Sequence, residues 1–380
     1  MDADGQGAYV SHRLLDQCLA PVTDLRMSTI THDGSASITT RSSTEAFAAV
    51  RAWLWSVAGL VFLMVVVGGA TRLTESGLSI TEWKPVSGVL PPLGDAAWQA
   101  EFEKYKQIPQ YAKLFPTMTL GQFQTIFYWE WSHRVLGRLI GLAFALPLAW
   151  FWIRGRLPGT LKLKLAGVLA LGGLQGAVGW WMVASGLVDR VEVAPERLAA
   201  HLLLASITFV ALIWIAVGLR PALREEGASF ALRGQASILL GLVLAQIGLG
   251  ALVAGSRAGL TYNTWPLMDG HFVPPAEHLT NLSPGWKNFF ENITTVQFDH
   301  RMVAYGLFAF AFFHLLQALG KARGSKAASR ARALFGLVGI QAGIGIVTLL
   351  LVVPIWAGLL HQAFAMVVLA MATVHRRRLA

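Results

Sequence analysis

Eight stretches of about 20 apolar residues constrain this chain more than anything else in it. They cover 52–70, 134–153, 165–184, 198–217, 236–254, 302–319, 333–353 and 355–374. A helix of about 20 residues crosses the roughly 30 Å hydrocarbon layer. Within that layer every backbone polar group must find its partner inside its own segment. Each stretch therefore predicts a transmembrane helix, and the fold class is an all-α integral membrane protein. Only 14% of residues are charged, against about 25% in soluble domains. Such a chain needs no single large water-excluding core, because lipid covers much of its surface.

The net charge of +10 raises the question of a nucleic-acid partner. Its placement answers it. Segments 154–164, 220–233, 321–332 and 376–378 hold fifteen Lys/Arg against only Glu225 and Glu226, whereas loops 71–132, 185–197 and 255–299 hold nine against thirteen Asp/Glu. That is the positive-inside asymmetry. It puts both termini in the cytoplasm or matrix and the long loops outside, and it leaves nothing for nucleic acid to explain. The single cysteine, Cys18, permits neither an intrachain disulfide nor a thiolate metal site. Residues 1–45 are polar, lack the apolar run of a signal peptide and carry too many aspartates for a transit peptide. They read as a disordered cytoplasmic tail.

The chain repeats itself. Gly77-Leu78-Ser79, Trp83, Gly88 and Pro91-Pro92 follow the first span; Gly259-Leu260-Thr261, Trp265, Gly270 and Pro274-Pro275 follow the fifth. His133-Arg134 opens the second span and His300-Arg301 the sixth. Gln175 and Gly179 in the third span match Gln341 and Gly345 in the seventh; His201 in the fourth matches His361 in the eighth. The organisation expected is an N-terminal half (46–217), an inside linker (218–235), a C-terminal half (236–375) and a basic tail (376–380). Four spans per half give both the same orientation, so a pseudo-twofold axis along the membrane normal should relate the two bundles.

Of the ten histidines, His133, His201, His300 and His361 stand at repeat-equivalent places. Each lies within about two turns of the outer end of its helix, so the four share one layer. Polar side chains at such depth are costly and usually functional. His12, His32, His271, His278, His314 and His375 show no such pattern and read as ordinary tail, loop or helix residues. Two imidazoles per half, with no carboxylate or thiolate cluster, serve zinc or calcium poorly. They suit an iron porphyrin, which brings four nitrogens of its own and needs only axial ligands. Porphyrin propionates need cations, and Arg72, Arg134, Arg138, Arg257 and Arg301 all fall near the outer ends of spans, where a guanidinium can take a carboxylate bidentately.

The halves differ at one place. Three residues before His133 is Glu130; three before His300 is Gln297. Positions i and i+3 share a helix face, so a titratable group accompanies the N-half histidine and an amide the C-half one. This assigns the reacting haem to the N-terminal half, with Glu130 partly desolvated and suited to proton transfer, and a permanent redox haem to the C-terminal half.

With these residues in view, the chain resembles haem A synthase over roughly residues 50–375. The resemblance rests on Glu130-Trp131-Ser132-His133-Arg134 and on GLSITEWKPVSGVLPP (77–92), EFEKYKQIPQY (101–111), GLTYNTWPLMDGHFVPP (259–275), FENITTVQFDHRMVAY (290–305) and PIWAGLLHQ (354–362). The branch it looks most like is the alphaproteobacterial and mitochondrial one. Other relatives carry a cysteine pair in outer loops, and this chain has none there. The resemblance implies that His300 and His361 ligate haem b, that His133 and His201 hold the substrate haem, and that Glu130 is the functional glutamate. It implies oxidation of the C8 methyl of haem O to formyl, through hydroxylated intermediates and loss of water from a geminal diol. The implied setting is the bacterial inner membrane (or the mitochondrial one), with haem O synthase and cytochrome c oxidase assembly factors as partners and a homo-oligomer left open. A di-haem b-type electron-transfer cytochrome would explain the histidines but not the Glu130/Gln297 difference; a transporter of parallel repeats would explain neither. No paired Asp-x-x-x-Asp motif is present to make the chain a prenyltransferase.

Overall fold

A computed structural model describes residues 34–220 and 229–379. The chain forms two compact units, Met1–Ser42 and Ser43–Ala380. Of the expected tail, 1–33 lies outside the described residues, as does Cys18, and the first helix begins at Gly34. Twelve α-helices are described: α1 (Gly34–Leu73), α2 (Asp95–Tyr105), α3 (Pro109–Leu114), α4 (Leu120–Ile153), α5 (Gly159–Ala184), α6 (Pro195–Gly218), α7 (Phe230–Gly255), α8 (Ala276–Leu279), α9 (Asn288–Glu291), α10 (Ile293–Lys321), α11 (Lys326–Leu350) and α12 (Ile355–Arg378). Among the described residues, eight are long and apolar enough to cross a membrane: α1, α4, α5, α6, α7, α10, α11 and α12. The protein is a multi-pass membrane protein.

Lipid exposure shows in the side chains. On α4, Leu139, Leu142, Leu146, Trp150 and Ile153 are exposed at spacings of three and four, one continuous apolar stripe. The opposite face meets the shared core, to which all eight spanning helices contribute: Leu54 and Val61, Phe144 and Leu148, Leu165, Leu212 and Ile213, Leu239 and Val243, Leu307, Leu334, and Leu369. Helices α6, α7 and α12 pack together across the boundary between halves. There Gln362 Nε2 donates to Val65 O at 2.8 Å, an approach that α1 permits because Gly69 has no side chain.

The spans are longer than their apolar cores suggested. α4 begins at Leu120, more than three turns before the 134 expected, with Thr119 and Gln122 forming a reciprocal cap. The added turns carry a cap of short helices. Trp98, Phe102 and Tyr105 of α2 pack on Phe123 and Phe127 of α4, and the aromatic surface pays for continuing the helix. Glu130 and His133 therefore sit inside a helix, not at its start. Between α11 and α12 the chain turns through Val352 and Val353, both left-handed (φ 59° and 53°), an unusual choice for β-branched residues. The linker expected at 218–235 is shorter at its end, since α7 begins at Phe230; residues 221–228 lie outside the described residues.

Candidate functional site

Each of the four histidines lies on a glycine of the preceding spanning helix. A Cβ at Gly68 would stand 3.1 Å from His133 Nε2; at Gly179, 2.8 Å from His201 Cε1; at Gly250, 3.2 Å from His300 Cε1; at Gly345, 2.7 Å from His361 Cε1. Ordinary carbon contacts begin near 3.5 Å, so any side chain there would displace the imidazole. Among the glycines of α5 and α11, only Gly179 and Gly345 have this task. Gly172, Gly173, Gly176 and Gly343 have nothing within 4 Å of an added Cβ, and Gly339 meets only Phe308.

In the C-terminal half the His300 and His361 rings lie 6.5 Å apart, centre to centre, at 79°. With a metal–imidazole bond of about 2 Å, two rings on one metal ion have centres roughly 6 Å apart. His133 and His201 are likewise within electrostatic range of each other. Among the described residues no three His, Cys, Asp or Glu side chains cluster as a metal site. A bare ion would have only two protein ligands, whereas a planar macrocycle needs no more than two.

Glutamines accompany three of these histidines. Gln175 Nε2 donates to His201 O at 3.1 Å and lies 3.2 and 3.3 Å from the two ring nitrogens. Gln246 Nε2 makes the same set with His300, at 3.0, 3.0 and 3.2 Å, and Gln341 Nε2 donates to His361 O at 3.0 Å with Nδ1 at 3.2 Å. All three Oε1 atoms are buried without a partner. These orphaned acceptors and the bare glycine saddles fit a group held through imidazole nitrogen.

Glu130 is 2% exposed. Its Oε2 accepts from the Ser79 hydroxyl (2.7 Å) and from Ile80 N (2.9 Å); Oε1 accepts from Arg134 Nε (3.1 Å) and Nη2 (2.5 Å). Arg134 goes on to Ile80 O and Glu82 O. The carboxylate thus latches the loop after α1 onto α4. A solvated helix-start carboxylate, the plain alternative for this residue, is excluded by its burial. Gln297, 3% exposed, latches the matching loop with reversed polarity: its Nε2 donates to Ala258 O and Thr261 O, both at 2.6 Å, and its Oε1 accepts from Arg301 Nη2 at 2.9 Å. Arg301 continues to Tyr262 O and Leu267 O.

Apart from Arg134, which is held by Glu130, the five arginines separate into two kinds. Arg72 pairs with Glu192 at 2.6 Å, and Arg257 pairs with both Glu192 and Glu75. Burial, which would lower the Arg257 guanidinium, is outweighed by its hydrogen bonds to these carboxylates and their charge, which raise it further above its usual range. This network crosses between halves. Glu75 and Arg257 occupy matching positions, each left-handed (φ 57° and 56°), at the ends of α1 and α7. The second kind faces backbone. Arg138 donates to Pro85 O and Lys84 O and leaves Nη1 buried and unpartnered; Arg301 leaves Nε so. Neither has a carboxylate in salt-bridge reach among the described residues.

Sequence reasoning missed Ser79, Gln246, Met64 and the saddles at Gly68 and Gly250. The signal was present, since Gln-x-x-x-Gly recurs at 175–179, 246–250 and 341–345. It also gave His314 and His375 no structural relation. They form a buried pair near the C-terminal ends of α10 and α12, Nε2 to Nε2 at 2.8 Å, with Gln235 Oε1 3.0 Å from His314 Nδ1.

A family model described as cytochrome oxidase assembly protein matches residues 51–373. A heme A synthase of Beijerinckia indica subsp. indica is 63% identical over 333 residues, covering 87% of this chain and 93% of the relative. One of Methylobacterium sp. strain 4-46 is 58% identical, covering 89% and 94%. One of Azorhizobium caulinodans is 55% identical, covering 86% and 93%.

Proposed function

The chain belongs to the cytochrome oxidase assembly protein family, in which its relatives are heme A synthases, and on that premise we propose that it oxidises the C8 methyl of haem O to the formyl of haem A. It is an oxidoreductase. The observation that carries the reading is the fourfold imidazole-on-glycine arrangement, two such pairs in one chain.

In this reading His300 and His361 hold haem b, and His133 and His201 hold the substrate haem. Haem b, when bound, supplies a one-electron redox centre in the C-terminal half. The protein's own residues do the rest. The glycine saddles set where each imidazole stands, and Arg138 and Arg301, which have no carboxylate in salt-bridge reach among the described residues, would take the propionates. Arg72 and Arg257 join the halves instead. Glu130 Oε2 is where a proton leaving the substrate is accepted, with the Ser79 hydroxyl beside it as the relay. The contact between Glu75 and Arg257 supports a pseudo-twofold relation of the halves, because equivalent residues meet across such an axis. The charge asymmetry supports an inner-membrane protein with cytoplasmic termini, receiving haem O from its synthase and passing haem A toward oxidase assembly.

The test is to express the chain with a source of haem O, extract the pigments and identify them by mass. Haem A and its hydroxylated precursor are expected. Haem b and unmodified haem O alone would overturn the reading in favour of a di-haem electron-transfer cytochrome.

A further inference from the structure

Three of the four imidazoles share a complete cradle, and the fourth does not. The cradle is a glutamine one helical turn before the saddle glycine: Gln175 before Gly179, Gln246 before Gly250, Gln341 before Gly345. Residues i and i+4 lie on one face, so the glycine seats the ring and the amide reaches it. On α1 the place one turn before Gly68 is taken by Met64. Its side chain points to the same neighbour, since a Cβ at Gly137 would stand 3.2 Å from Met64 Cε. Gly137 itself is one turn beyond His133. Among the described residues no amide reaches His133.

The amide orientation is fixed by its main-chain bond. Each Nε2 faces the carbonyl oxygen of the histidine it accompanies, and oxygen cannot stand there in its place. Nε2 also lies nearest the ring nitrogens, and Oε1, the amide's other end, is left buried and unpartnered in all three. An unmade bond on a buried acceptor is costly, and such orphans call for a partner. An imidazole that binds metal through Nε2 carries its proton on Nδ1 and needs an acceptor for it. With metal on Nε2, the ring would have to turn about its Cβ–Cγ bond to exchange the amide nitrogen for Oε1.

We propose that Gln175, Gln246 and Gln341 are positioning residues whose Oε1 atoms accept the Nδ1–H of His201, His300 and His361, and that Met64 leaves His133 as the one unanchored, exchangeable ligand. This rests on the four histidines holding haem. It gives the halves different tasks by simple means. A haem between two anchored imidazoles is retained, whereas a haem with one unanchored ligand can enter and leave, as a substrate and product must. An acceptor on Nδ1–H also strengthens the imidazole as a donor and favours ferric iron.

The experiment uses the full chain, purified with its haem. Gln246→Leu is expected to keep haem b while weakening the ferric preference about tenfold, about 59 mV upward for one electron. Gln246→Glu, a stronger acceptor, is expected to move the midpoint downward. Both variants moving together, or neither moving, would overturn the proposal, because a packing role has no reason to change sign. Met64→Gln is read in a His300→Ala background, where hemin sits only in the N-terminal half. Transfer of that hemin to apomyoglobin should slow about tenfold, and an unchanged rate would overturn the Met64 assignment. Retention of haem b in His300→Ala would instead refute the ligand assignment beneath it, which keeps the two failures distinct.

Discussion

The two halves build the same outer latch from different residues. In the N-terminal half it is Glu130 and Arg134, with Arg138 one turn on; in the C-terminal half it is Gln297 and Arg301, with Tyr305, whose hydroxyl has no partner among the described residues, at the same sequence place as Arg138. With Glu130 ionised, each trio carries one net positive charge. The N-terminal trio reaches it with an ion pair and a second arginine, the C-terminal trio with one arginine that has no carboxylate. The same folding task, tying a loop to a helix, is met by Glu130 accepting from Ser79 and Ile80 and by Gln297 donating to Ala258 and Thr261. A duplicated fold can thus keep its geometry and field while leaving a titratable group on one side only.

The sharpest way to break this comparison is at the ligands. His300→Ala should abolish the haem b spectrum of the purified protein, while His133→Ala should leave it intact; equal loss in both would erase the division of labour. Next is the latch. Glu130→Gln should keep haem b yet lower haem A formation at least about 100-fold, the size of a lost proton-transfer group, measured by mass analysis of extracted haems. Its mirror, Gln297→Glu, sets a carboxylate against two carbonyl oxygens. It should destabilise by about 2 kcal/mol, read as a lowered midpoint of thermal unfolding in detergent, without creating a second reactive half.

Smaller effects separate the saddles. Gly345→Ala should cost more haem b than Gly250→Ala, because the added carbon stands 2.7 rather than 3.2 Å from the imidazole; haem content per protein measures it, and equal losses would remove distance as the cause. The smallest concerns the outer caps. The N-terminal cap is a lattice of Glu82, Lys84, Glu101 and Lys104, in which hydrogen bonds from Lys84 and Lys104 hold Glu82 below the usual carboxylate range. The C-terminal cap is neutral, built on Asn281, Asn288 and Asn292. A carboxyl depressed by folding contributes stability above its unfolded value, near pH 4.3, and loses it as pH falls through the folded one. Mild acid should therefore raise proteolysis of loop 82–104 before loop 281–292, and simultaneous cleavage would contradict it.

Much of this was legible in the amino-acid order. The eight spans follow from hydrocarbon thickness and the helical rise, which act on any apolar run of that length. The repeat and its four histidines follow from spacing alone, and so does the Glu130/Gln297 difference. What spacing could not decide was which side chains meet across helices. The sequence offered five similar arginines; only packing showed that Arg72 and Arg257 share the carboxylate of Glu192, Arg134 takes that of Glu130, and Arg138 and Arg301 have none in reach among the described residues. It offered a glycine-rich set of helices; only packing chose Gly68, Gly179, Gly250 and Gly345 as the four that carry an imidazole. Local pattern fixes which face a residue takes, because helix geometry is set by nearby backbone. Its partner is set by how one helix seats against another, and that depends on side chains far apart in the chain.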